Sequence, residues 1–183
     1  MSKAALKAGV IGWPIDHSLS PHLHGFWLDQ YAIDGEYLPF AVEPDNLESF
    51  LRGLAENGRR GTNMTLPHKH ETLKIVDHVD DNARRIGAVN TVVVQEDGSL
   101  HGSNTDAFGF LENLKNHVPN WQASAGPAVV LGAGGAARAI LVALQENGAP
   151  EIKLLNRTKS RSEELAIELG GGIKVYDWES RAD

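Results

Sequence analysis

Short apolar runs alternate along this chain with longer stretches in which every third or fourth position is apolar, the rhythm of strands followed by helices. Residues 7–12 make an apolar run closed by glycine, as a first buried strand does. A loop, W-P-I-D-H-S-L, leads to Ser20 and Pro21, where serine followed by proline signals a helix start. That helix is expected to reach about residue 32 and to turn Leu23, Trp27, Leu28 and Tyr31 toward a sheet. Residues 36–42 read as a second strand. Pro44 and Asp45 then open a helix with Leu47, Phe50, Leu51 and Leu54 on one face, ended by Gly58. Residues 60–65 supply the third strand; Pro67 is expected to open a helix to about residue 76, with a shorter one at 80–86. The run 88–95 is rich in valine and threonine, and Asp97-Gly98 marks a hairpin turn, so residues 99–101 are expected to return antiparallel. A helix at 106–117 follows.

The stretch 118–126, V-P-N-W-Q-A-S-A-G, is polar and carries proline and glycine. It is read as a linker between a domain at 1–117 and another at 127–183. In the second, the apolar run 128–131 enters a glycine-rich turn, and Ile140, Leu141 and Leu144 give the next helix its buried face, closed by Gly148. Strand, helix and strand follow at 151–156, 160–169 and 173–176. The fold class is thus α/β with two domains: a mixed, mainly parallel α/β domain, then a Rossmann-like unit. The latter amounts to one βαβαβ half of a dinucleotide fold. Stopping there leaves a sheet edge open, so the sequence is read as the amino-terminal portion of a longer enzyme.

Composition narrows the partners. The 183 residues are 42% hydrophobic and 22% charged, as in a globular protein. A net charge of −7 argues against nucleic acid. The absence of cysteine excludes disulfides, thiolate zinc sites and cysteine nucleophiles together. No run has the length of a membrane span and the first nine residues lack a signal-peptide pattern, so a soluble, cytoplasmic protein is expected.

The candidate chemistry starts at 63–69, N-M-T-L-P-H-K, a buried strand ending in polar side chains. Small ligands bind at the carboxyl ends of strands in open α/β sheets, which makes Asn63, Thr65 and Lys69 candidate site residues. Lys69 is the reactive one, because an ammonium holds a hydroxyl or carbonyl oxygen and, next to a carboxylate such as Asp106, passes a proton to or from it. Ser18 and Ser20, two apart before a helix, are suited to a carboxylate, and Ser20 equally to a plain helix cap. Asn90, in a valine-rich run, requires a hydrogen-bond partner; Asn104 and Asp106 follow the antiparallel strand, and each of the three has a structural reading too. His22 and His24, and again His68 and His70, stand two apart on expected helices and point different ways, which argues against a metal site.

In the second domain, Gly132, Ala133, Gly134, Gly135 and Ala136 form a turn between strand and helix whose amides suit a pyrophosphate. At the end of the next strand, where NAD-binding proteins carry an acid, this chain has Asn156, Arg157, Thr158, Lys159, Ser160 and Arg161. Arg157, helped by Thr158 and Arg161, matches a 2′-phosphate, so NADP is the expected cofactor.

Four motifs in order, H-S-L-S-P at 17–21, N-M-T-L-P-H-K at 63–69, G-A-V-N-T at 87–91 and N-T-D at 104–106, resemble the shikimate dehydrogenase family. The resemblance extends from the first strand to about the last few residues. It implies NADP-linked interconversion of 3-dehydroshikimate and shikimate, a step of aromatic amino-acid biosynthesis. It also implies that Ser18 and Ser20 bind the substrate carboxylate, that Asn90 and Asp106 contact its hydroxyls, that Thr65 and Lys69 reach the same ring, and that Asp106 pairs with Lys69. His68 stands where the family often has an apolar or aromatic residue. Longer relatives add a tyrosine and a glutamine that have no counterpart among these residues. Which of Lys69 and Asp106 is the formal acid stays open. So do a quinate-accepting, NAD-linked relative and a non-catalytic shikimate-binding module. The expected partner is the small-molecule substrate, with no nucleic acid and no membrane, in a monomer or homodimer.

Overall fold

Glycine and apolar residues let Leu6–Gly12 (β1) sit between two parallel neighbours in the computed structural model, which describes residues 5–182. The other strands of its sheet are Gly35–Ala41 (β2), Gly61–Met64 (β3), His78–Val79 (β4), Thr91–Val94 (β5) and Leu100–Ser103 (β6), in the order β2-β1-β3-β5-β6-β4. β1 runs parallel to β2 and β3, β4 parallel to β6, and β5 antiparallel to both of its neighbours, so the sheet is mixed and mainly parallel, as expected. The two-residue β4 went unforeseen, since two residues carry no readable alternation.

Its helices are Ser20–Gln30 (α1), Leu47–Arg52 (α2), Thr72–Ile75 (α3) and Asp81–Ile86 (α4). On one face, Ile11, Met64, Val92, Val94 and Leu100 pack with Leu47, Leu51 and Leu54 and with Ala83 of α4 in a single apolar cluster. The other face holds a smaller one of Val10, Ile15 and Tyr37, with Ala8 and Leu28 against it. There the expectation for α1 is corrected. Leu28 packs inward, but Leu23, Trp27 and Tyr31 are exposed and no residue of α1 is fully buried. The strand residues beneath are Ala8, Tyr37, Asn63 and Thr91, and the helix turns His24 onto the Tyr37 ring, stacked at 3.8 Å. An open groove of about 510 Å³, lined by Leu6, Ala8, Trp27, Leu28 and Val93 among others, remains on this face.

Two other helices differ from expectation. Pro67 opens none: the Leu66–Pro67 peptide is cis, and the chain turns back so that the His68 N–H donates to the Thr65 carbonyl at 2.9 Å, with proline third in the turn and α3 starting only at Thr72. α2 ends at Gly53, well before Gly58, which takes a φ of +67° in the following turn.

The contacts divide the chain between Asn104 and Thr105 into two compact units. The second comprises Asp106–His117 (α5), Ala128–Leu131 (β7), Gly135–Glu146 (α6), Ile152–Leu155 (β8), Lys159–Leu169 (α7) and Ile173–Tyr176 (β9). β7, β8 and β9 form a parallel sheet in that order. Helix α6 is apolar nearly all round because it packs on both α5 and the sheet; Ala139, Leu141, Val142, Ala143 and Leu144 are buried, whereas Ile140 is only half-buried. By its packing, α5 therefore groups with the second unit, although its sequence position placed it at the close of a domain ending at 117. Among the described residues no helix is long and apolar enough to cross a membrane.

Candidate active site

The loops and strand ends at one edge of the first sheet carry the predicted substrate residues of the first unit. Ser18 and Ser20 follow β1, and Thr65 and Lys69 follow β3. Because β5 runs backwards, Asn90 at its entry lies at the same edge, where the Met64 N–H donates to the Asn90 carbonyl at 2.8 Å.

Backbone bonds fix the turn that bears Lys69. Thr65 N–H donates to Ile11, Trp13 N–H to Leu66 and Val89 N–H to Lys69, all between 2.8 and 3.0 Å. Gly12 is required by the same approach: a Cβ there would lie 2.6 Å from the Thr65 methyl and 3.1 Å from the Leu66 carbonyl. His68, 1% exposed, donates from Nε2 to the Val42 carbonyl at 2.8 Å, which in the neutral ring leaves Nδ1 without a proton. Burial pushes its pKa below the usual value, with the Val42 bond opposing. This buried anchor had no signal in its neighbours; only the family resemblance, in which the position is often apolar or aromatic, set it apart. Thr72 Oγ1 donates to the His68 carbonyl at 2.9 Å and ties the turn to α3.

Ser20 is not the helix cap. Leu19 occupies that position without a side-chain cap bond, and Ser20 is the first helical residue, its N–H donating to Ser18 Oγ at 3.3 Å. The two hydroxyls are thus held in one local turn. Asn90 is buried, and Thr91 Oγ1 donates to its Oδ1 at 2.8 Å. Asn63 is already engaged: its Oδ1 accepts from the Tyr37 hydroxyl at 2.7 Å, and its Nδ2 donates to Thr91 Oγ1 at 3.0 Å and to the Asn90 carbonyl at 3.3 Å. Asn104, also buried, donates to the Ala88 carbonyl at 2.8 Å and shapes the approach to Asn90. Asp106 is the first residue of α5, in the second unit.

In the second unit, Gly132 leaves β7 with a φ of +111°, a conformation that suits glycine, and its N–H donates to the Leu155 carbonyl at 2.7 Å. Ala133 continues the turn, Gly134 precedes α6 with no side-chain cap bond, and Gly135 and Ala136 begin the helix. No atom lies within 4 Å of a Cβ built at Gly132 or Gly134, so the space above the turn is open to a ligand. β7 pairs with β8 through Leu131 and Leu155, which sets the Asn156 to Arg161 loop beside this turn. Asn156 Nδ2 donates to the Thr158 carbonyl at 2.8 Å, shaping a loop on which Arg157, Thr158 and Arg161 are exposed; Lys159 pairs with Asp177 at 2.7 Å. Uncapped amides at a twelve-residue helix and adjacent guanidinium groups fit a phosphorylated dinucleotide. Among the described residues no group of three or more His, Asp or Glu side chains is placed to hold a metal ion.

A polar edge on a mixed sheet, followed by a glycine turn in a parallel βαβαβ unit, defines a two-unit α/β protein of Rossmann type. Comparison with known proteins is more specific. The shikimate dehydrogenase substrate binding domain matches residues 10–92, and the shikimate / quinate 5-dehydrogenase domain matches residues 114–180. The NADP(+) shikimate dehydrogenase of Paramagnetospirillum magneticum is 56% identical over all of this chain, which covers 66% of that protein. The crystal structure of shikimate dehydrogenase from Aquifex aeolicus superposes with a TM-score of 0.87 at 38% identity, over 96% of this chain and 64% of that one. The shikimate 5-dehydrogenase of Thermus thermophilus, in complex with NADP(H) and shikimate, gives 0.80 at 42% identity over 92% and 62%. The chain belongs to the shikimate dehydrogenase family. It spans 60–66% of the length of these curated relatives.

Proposed function

We propose that this protein interconverts 3-dehydroshikimate and shikimate with NADP(H). The observation that carries this reading is the match of both units to the family. Ser18, Ser20 and Thr65 hold the substrate carboxylate and ring, and Asn90 binds a ring hydroxyl. Lys69 holds the ketone oxygen and exchanges the proton there, with Asp106 as the carboxylate of the chemistry. Gly132, Ala133, Gly134, Gly135 and Ala136 receive the pyrophosphate, and Asn156, Arg157, Thr158 and Arg161 the 2′-phosphate side of the adenosine. When bound, NADP(H) supplies or accepts the hydride. With this goes a cytoplasmic location and a monomer or homodimer.

The test mixes the purified chain with shikimate and NADP, then with quinate and NAD, and follows absorbance of the reduced nicotinamide; calorimetry measures shikimate binding on the same sample. Shikimate-dependent NADP reduction that drops by roughly two to four orders of magnitude in Lys69→Ala supports the reading. Preference for quinate with NAD, or no binding of shikimate at all, overturns it.

A further inference from the structure

Three polar side chains on the open face of the sheet, Tyr37, Asn63 and Thr91, are joined with Asn90 in a chain with one direction. The Tyr37 O–H donates to Asn63 Oδ1 at 2.7 Å, Asn63 Nδ2 donates to Thr91 Oγ1 at 3.0 Å, and Thr91 Oγ1 donates to Asn90 Oδ1 at 2.8 Å. Each link fixes the next. A phenol whose oxygen meets Oδ1 is its donor, which turns the Asn63 N–H edge toward Thr91 and obliges the threonine hydroxyl to send its own hydrogen onward. Strand register holds the middle in place, since Asn63 and Thr91 are direct cross-strand partners. The start is held as well. The His24 ring stacks on Tyr37, and His24 Nδ1 donates to the Ser20 carbonyl at 2.9 Å, which ties the start of the relay to the first residue of α1. Burial pushes the Tyr37 pKa up to about 12, so the phenol stays a donor.

We propose that Tyr37, Asn63 and Thr91 are positioning residues that set which edge of the Asn90 carboxamide faces the substrate. This rests on the reading of that edge of the sheet as the shikimate site. With Oδ1 held by Thr91, the Nδ2 edge of Asn90 is turned the other way, as a donor. A donor there gives its hydrogen to the oxygen of the ring hydroxyl that Asn90 binds, whereas an exposed Oδ1 would take that hydroxyl's own hydrogen. Asn63 is thereby reassigned. Its two N–H bonds are spent inside the sheet, and it acts through Asn90 rather than on the ligand.

Three variants of the full chain test this. Thr91→Val keeps the shape and removes the hydroxyl; Thr91→Ser keeps the hydroxyl. Asn63→Asp puts an acceptor where the donor stood, so the Thr91 hydrogen turns back to residue 63 and its oxygen takes a hydrogen from Asn90, reversing that carboxamide. Shikimate affinity by calorimetry is expected to fall at least roughly tenfold in Thr91→Val and Asn63→Asp and to stay within about twofold in Thr91→Ser, a loss that follows the hydroxyl and its direction. On isotopically labelled protein, the Asn90 side-chain amide protons are expected to move toward the Thr91 methyl in Asn63→Asp, read from their cross-relaxation. Unchanged affinity in Thr91→Val, or an Asn90 amide that does not turn in Asn63→Asp, overturns the relay. If the unmodified chain binds no shikimate, the functional reading falls, and the amide signals alone decide the relay.

Discussion

On one face of the six-stranded sheet, Ile11, Met64, Val92 and Leu100 meet Leu47, Leu51 and Leu54 in a continuous apolar cluster. On the other, Ala8, Tyr37, Asn63 and Thr91 have His24 and Leu28 of α1 above them and an open groove alongside. The same strands, alternating residue by residue, build both. The closed face gains its stability from area removed from water, which is indifferent to direction. The open face gives up much of that gain, and what it holds instead is a set of hydrogen bonds whose value lies in orientation. Stability and positioning are therefore assigned to opposite sides of one sheet, and substitutions on the two sides should fail in different ways.

The sharpest expression of the difference is truncation on the closed face. Leu54→Ala is expected to cost about 3 kcal/mol in urea unfolding, from lost burial and the cavity left behind. A cost below about 1 kcal/mol would break the contrast. Next comes Tyr37. Its folded pKa of about 12 exceeds the ordinary value of 10.0, so the stability contributed by the neutral phenol is complete below pH 10 and is lost as pH rises to 12. That loss is expected to approach about 2 kcal/mol and to vanish in Tyr37→Phe, in paired unfolding curves. His68 belongs to the closed, lysine-bearing turn and acts in the opposite direction. Its pKa is lowered, so the unfolded chain takes up the proton more readily, and stability is lost as pH falls below 6.5. His68→Phe should remove this acid-side slope, and a slope that persists would assign it elsewhere. The smallest effect is expected on α1, where Phe26 is 61% exposed: Phe26→Ser should change stability by no more than about 0.5 kcal/mol.

The chain announced its strands and its glycine turn clearly, because alternation and a φ of +111° at Gly132 leave direct marks in sequence. It announced the closed face equally well, in Leu47, Leu51 and Leu54. The open face was misread, since helical spacing in α1 identifies apolar positions and says nothing of whether anything lies over them. Pro67 was misread because proline suits the first turn of a helix and a tight turn alike, and only the His68 to Thr65 hydrogen bond separates the two. Ser18, Thr65, Lys69 and Asn90 were legible as residue types at strand ends. The engagement of Asn63 was not, because it depends on Tyr37, brought in from two strands away by register.

The reversed strand β5 has one more consequence. Ser18 and Lys69 follow β1 and β3 and are placed by turns close to them in sequence. Asn90 instead stands at the start of a hairpin arm, and its place is set by counting residues back from the Asp97-Gly98 turn at the far end. A single insertion within that arm would slide Thr91 to the opposite side and carry Asn90 out of line. Over evolutionary time this arm must keep its count, so a change of length far from Asn90 is felt at Asn90 itself.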